Sequence, residues 1–170
     1  MIINLKNTIL KIAVFAMFLT LSVPKSKAGD TFIGVASGYS TGNESGTFGA
    51  WMSYDISPAF RTGIGIDYVF RSQRTDAFLL NLDFNFPLKL GAGTKIDIYP
   101  IVGLTYASWS FHPEIRLDDV STRTNKLGLN LGAGAGYRVT QRMRLKFDVR
   151  YSLVKHHDTT LISLGIGYAF

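Results

Sequence analysis

The sequence contains no cysteine. That excludes disulfides, thiolate metal sites and a lipid-modified N-terminal cysteine. After Ala28, no stretch keeps the i, i+3, i+4, i+7 apolar spacing of an amphipathic helix, so no helical domain is expected. The apolar run Ile12–Val23 is too short for a membrane-spanning helix, which needs roughly 20 such residues. Charge of one sign is also scarce. The formal charge is +6, but four of the bases (Lys6, Lys11, Lys25 and Lys27) lie before Gly29, where there is no acid. The rest of the chain carries 14 bases against 12 acids. No basic surface of nucleic-acid-binding type is expected from that balance.

What is present begins with a leader. Met1–Lys11 is basic, Ile12–Val23 is apolar, and Pro24–Ala28 ends with Ser26 and Ala28 at the small-residue positions of a cleavage site. This pattern predicts a secretory signal peptide over 1–28 and a single domain over 29–170.

Beyond the leader the dominant signal is period-2 alternation, the mark of a strand with two different faces. It is clearest in the last segment, Thr159–Phe170. There Thr160, Ile162, Leu164, Ile166, Tyr168 and Phe170 share one face, and Leu161, Ser163, Gly165, Gly167 and Ala169 share the other. Seven earlier segments alternate in the same way, over about 31–39, 47–56, 60–70, 77–88, 95–107, 126–139 and 143–153. Short turns are expected at 57–59, 91–94 and 140–142, and longer loops at 40–46, 71–76, 108–125 and 154–158. Pro100 lacks a ladder donor and is expected to mark an irregular spot.

The sorting of side chains sets the class. One face carries nearly all the Ile, Leu, Val and Phe; the other holds Gly, Asn, Ser and charges. Closing eight strands with the polar face inside gives an apolar exterior that only lipid can solvate, and closure leaves no unpaired backbone edge. The expectation is an all-β, eight-stranded antiparallel up-and-down transmembrane β-barrel. Aromatics near the strand ends form two interfacial girdles: Tyr54, Phe60, Phe86, Tyr137, Tyr168 and Phe170 toward the short turns, Phe48, Tyr68, Phe70, Phe78, Tyr106 and Tyr151 toward the loops. The inward face carries five acids (Asp55, Asp67, Asp83, Asp97, Asp148) and five bases (Arg61, Arg138, Arg144, Lys146, Arg150). In a lumen just wide enough for side chains, such charges must pair. A cross-lumen ion-pair network that plugs the barrel is expected. The alternative is a narrow ion or small-solute path, and wide aqueous channels need roughly 16 strands.

Ser163, Gly165, Tyr168 and Phe170 match a polar-x-Gly-x-x-aromatic-x-aromatic pattern at the end of the chain. In this the sequence resembles the small bacterial outer-membrane β-barrel proteins of the OmpA/OmpX-like group. The resemblance implies the bacterial outer membrane, contacts with its lipid and lipopolysaccharide, and recognition of the C-terminal strand by the barrel-assembly machinery. It also implies a structural or surface-interaction role through extracellular loops, with no cofactor. Some eight-stranded barrels instead modify lipid A. Here His112, His156, His157, Asp158, Ser110 and Ser152 are the candidate groups, but no His-x-Ser signature stands on an outward face, and a solvated loop is the simpler reading. Glu114, Asp118 and Asp119 lack ligand spacing for a metal, and Asn43-Glu44-Ser45 is a sequon without weight in a bacterial setting. No catalytic or metal residue is assigned. The exported protein is expected to begin at Gly29; an intact mass matching residues 29–170 checks this, and retention of the leader would refute it.

Overall fold

The computed structural model describes residues 29–72, 74–91, 93–111, 122–154 and 158–170. The strands are β1 (Thr31–Ser40), β2 (Ser45–Ser57), β3 (Phe60–Ser72), β4 (Thr75–Asn85), the two-residue β5 (Leu88–Lys89), β6 (Ile96–Phe111), β7 (Thr122–Arg138), β8 (Met143–Val154) and β9 (Thr159–Ala169). Each long strand pairs antiparallel with its neighbours in sequence, β4 with β6. The sheet closes where β1 meets β9, from Phe32↔Ala169 to Ser40↔Leu161. The result is an eight-stranded up-and-down barrel, with β5 a short continuation of β4.

The alternation placed the faces correctly. Ile33, Val35, Leu104, Leu131, Leu164 and Ile166 are exposed on the outer wall, while Gly165, Ser163 and Asn130 lie inside. The strand ends were less legible. β3 and β4 run on to leave only 73–74 between them, so the expected loop at 71–76 is as short as the 58–59 turn. The β6–β7 hairpin likewise extends into the region read as a long loop, with Ser108–Phe111 paired to Thr122–Asn125. The reason is physical: backbone pairing does not depend on side-chain type, so the ladder continues past the point where a lipid-facing alternation reports it.

The irregularity at Pro100 is one-sided. Its ladder with β7 is unbroken at Pro100↔Ala133. On the other side the pairing of β4 stops at Asn85↔Ile101 and resumes in β5 at Leu88↔Ile98. Phe86 N donates to Pro100 O at 3.4 Å, but neither Pro87 nor Pro100 has an N–H to return. The ladder is interrupted there, near the short-turn end.

The outer wall has interfacial aromatic pairs at both ends. Phe60 stacks on Phe84 with ring centroids 6.1 Å apart and meets Phe86 at 5.5 Å. Tyr168 and Phe170 meet edge-on at 5.6 Å, as do Tyr68 and Phe70 at 5.7 Å. Leu164 lies at the middle of β9 on the lipid face, 62% exposed. Leu164→Arg is expected to destabilise the barrel by about 2–4 kcal/mol, and Thr160→Arg, near the rim, by about 0–1. Urea titration of folding into vesicles checks the difference; equal costs would contradict this depth assignment.

Candidate functional site

The lumen is layered. At the loop end, Val69, Ala77, Leu79, Ala107, Trp109, Val154 and Leu161 form a fully inward apolar cluster. At the other end Phe32, Ala36, Trp51 and Ala169 form a second one. The expected inner face is mostly glycine, small polar residues and charges, with Leu161 and Ala169 among them; the structure adds whole apolar layers to it. Parity alone places Val69, Leu79 and Leu161 inside, but their residue type reads as lipid-facing.

Below the loop-end cluster is a buried amide layer. Asn130 Nδ2 donates to Asn81 Oδ1 at 3.0 Å and to Asp83 Oδ1 at 3.1 Å. Ser152 Oγ donates to Asn130 Oδ1 at 2.7 Å, and Asn81 Nδ2 to Asp67 Oδ2 at 2.9 Å. Ser152 is therefore engaged within the lumen. Above the cluster, the loop 41–44 is fastened on two sides. Gly42 N donates to Thr159 Oγ1 at 3.0 Å and Thr160 N to Thr41 Oγ1 at 3.1 Å. Asn43 Nδ2, the sequon amide, donates to Thr75 O at 2.9 Å.

The structure brings all ten expected lumen charges into ion pairs. Arg61 spans Asp55 and Asp97, at 2.5 Å and 2.9 Å. Arg144 reaches Asp55 at 3.2 Å. Arg150 bridges Asp83 at 3.1 Å and Asp67 at 3.4 Å, and Lys146 holds Asp148 at 2.9 Å. Arg138 joins Asp55 at 3.9 Å and also Asp30 at 3.1 Å, an acid that the strand pattern did not include. Arg61 with Asp97, Arg138 and Arg144 with Asp55, and Arg150 with Asp67 and Asp83 join strands that are not neighbours, across the lumen, whereas Asp55 and Arg61 face each other on β2 and β3 and Lys146 and Asp148 share β8.

Glycines make the room for this. On β7, Gly132, Gly134 and Gly136 stand directly opposite Arg150, Asp148 and Lys146 of β8. A methyl group on Gly134 would collide with Asp148 Oδ1 and the Tyr99 ring. Tyr99 lies over that gap and donates from its hydroxyl to Asp148 Oδ1 at 2.7 Å. The inward aromatics also face cations. Arg144 stands 4.1 Å over Phe32, Lys146 4.5 Å over Trp51 and Arg61 5.4 Å over Tyr99. Sequence reasoning missed these partners; the signal was the inward parity of Phe32, Trp51 and Tyr99.

In the C-terminal pattern, Ser163 and Gly165 face the lumen, and Tyr168 and Phe170 face outward. Gly165 and Gly167 leave the space into which the Trp51 indole fits. His112, Glu114, Asp118, Asp119, His156 and His157 lie outside the described residues. Asp158 accepts from Val154 N at 3.0 Å and from Tyr151 Oη at 3.4 Å, and so caps a strand end. Among the described residues no group of three or more His, Cys, Asp or Glu is placed to hold a metal.

Arg150 is the most consequential charge, because removing it leaves Asp67 and Asp83 buried without their cation. Arg150→Met is expected to cost about 3–5 kcal/mol in urea unfolding. Adding Asp83→Asn to that variant is expected to recover part of the loss; strict additivity would mean the pair is uncoupled.

Residues 13–170 match the outer membrane protein beta-barrel domain family. Among solved structures, the N-terminal β-barrel domain of Pseudomonas aeruginosa OprF is similar at 17% identity, with a TM-score of 0.67 over 84% of this chain and 98% of that one. Neisserial surface protein A matches at 14% identity and TM-score 0.65, over 82% and 97%. Ail, the attachment invasion locus protein of Yersinia pestis, matches at 15% identity and TM-score 0.62, over 84% and 99%. At these identities the likeness establishes the fold. No curated protein sequence matches this one. With the family match spanning nearly the whole chain, the protein belongs to the outer membrane protein beta-barrel domain family and resides in the bacterial outer membrane.

Proposed function

We propose that this protein is a non-enzymatic barrel whose lumen is closed, and that it serves the outer membrane as a structural element and through its loop-side surface. The observation that carries the reading is the filled interior. The pairs of Arg61 with Asp97, Arg144 with Asp55 and Arg150 with Asp67 and Asp83 cross the lumen, and the central cavity among them measures about 40 Å3. That is room for a few water molecules and no more. Above it the side chains of Val69, Leu79, Val154 and Leu161 present an apolar surface, which is costly for a hydrated ion to pass.

The partners follow from position. The outer wall contacts lipid, and the loop end contacts lipopolysaccharide. The C-terminal strand, with Ser163, Gly165, Tyr168 and Phe170, engages the barrel-assembly machinery. Ail, one of the structural relatives, is named for attachment and invasion, which supports a surface-interaction role on the loop side.

Residues 29–170 refolded into a planar bilayer are expected to shift on heat-modifiable gel migration and to give no discrete conductance. Discrete steps that grow when Asp83 or Arg144 is neutralised would replace the closed barrel with a narrow pore. A change in lipid A that His157→Ala abolishes would replace it with an enzyme.

A further inference from the structure

The short-turn mouth of the lumen opens into a vestibule that the closed-barrel reading does not use. Two cavities of about 300 Å3 and 200 Å3 lie side by side there, with Lys89, Asp97, Arg138 and Arg144 lining both, and together make up this vestibule. Its charged walls are Arg61, Lys89, Lys95, Arg138 and Arg144 against Asp30, Asp55 and Asp97. The acids are already engaged: Arg61 holds Asp55 and Asp97, Arg144 also holds Asp55, and Arg138 holds Asp30. Lys89 and Lys95 make no ion pair among the described residues. Asp97 Oδ1 has no hydrogen-bond donor, and Lys89 stands opposite Asp97 in the register. Even with Lys89 turned to that oxygen, five bases face three acids.

Three features fit this space to an anion. A recess lined by one excess sign of charge and walled by low-dielectric protein concentrates counter-ions. Arg138 is 41% exposed and spends its short contact on Asp30, which leaves N–H donors of its planar guanidinium for a further oxyanion. The floor, where Arg61 and Arg144 clasp Asp55, separates the vestibule from the small central cavity, and the loop-end cluster lies beyond that. The vestibule is a blind recess. The barrel wall shields it from lipid, so its ligand comes from water.

We propose that the vestibule is a binding site for a small dianion of the hydrogen phosphate type, held by Arg138, Lys89 and Lys95 and entering from the short-turn side. The site requires the barrel but not a closed lumen, so it stands or falls separately from the functional reading above.

Because the chain has no cysteine, Ser57→Cys places a single thiol in the vestibule wall, and Thr41→Cys a control thiol at the loop mouth. The protein is extracted from membranes into non-ionic detergent, and folding is checked by heat-modifiable migration. Each thiol is then reacted with an anionic and a cationic methanethiosulfonate, with rates referred to a free thiol. At low salt the anionic reagent is expected to react about tenfold faster at Ser57→Cys and to show no such preference at Thr41→Cys. Adding Lys89→Gln and Lys95→Gln is expected to bring the ratio near one. Millimolar inorganic phosphate is expected to slow the anionic reagent at Ser57→Cys beyond the effect of sodium chloride at equal ionic strength. Equal rates for the two reagents would overturn the anion field. A preference that phosphate leaves untouched would overturn the binding site.

Discussion

Hydrocarbon offers a backbone no hydrogen-bond partner, and the architecture answers to that one constraint. Every strand must be flanked, so the sheet must close, and it does so through nine consecutive pairs between β1 and β9. The ladder interruption between β4 and β5 lies where Pro87 and Pro100 have no donors to lose, close to the short-turn end. Once the sheet is closed, alternation of side chains has only two destinations, lipid or lumen. Exposed Leu, Ile and Val on one face cease to be a liability and become the solvated surface.

A closed eight-stranded wall leaves a narrow interior, which sets the second tier of the structure. Charges placed there lose their water, and the effective cost is several kcal/mol for each ion unless partners repay it. The repayment here is distributed. Arg61, Arg138 and Arg150 each touch two carboxylates, and Arg144 and Lys146 divide their contacts between a carboxylate and an aromatic face. The long side chains of β8 fit only because β7 presents glycine opposite them. Charge, aromatic ring and missing side chain are thus parts of one packing solution.

Much of this was legible in the sequence, and the limits have physical causes. Parity identified the faces, because a one-residue slip would turn every side chain over. It gave ten inward charges but not which acid meets which base, since that depends on the register of strands far apart in sequence, as for Arg150 with Asp67. It misjudged strand ends such as Ser108–Phe111, where the ladder to Thr122–Asn125 continues beyond the alternating stretch. It missed the inward apolar layer, because Leu79 on an otherwise polar face looks like noise until Val69, Trp109 and Leu161 are seen around it. Asp30 escaped notice because it precedes β1, and only the closed barrel brings it to Arg138.

The chain has two tryptophans, Trp51 and Trp109, and both point into the lumen, 8% and 6% exposed. Tryptophan in membrane barrels commonly sits at the lipid interface, where its emission follows the arrival of the chain at the bilayer. Here the two indoles report from inside, one beneath the loop mouth and one beside Lys146. Their fluorescence is therefore a natural gauge of interior consolidation, separate from membrane insertion, and it divides the two stages of assembly without an added label.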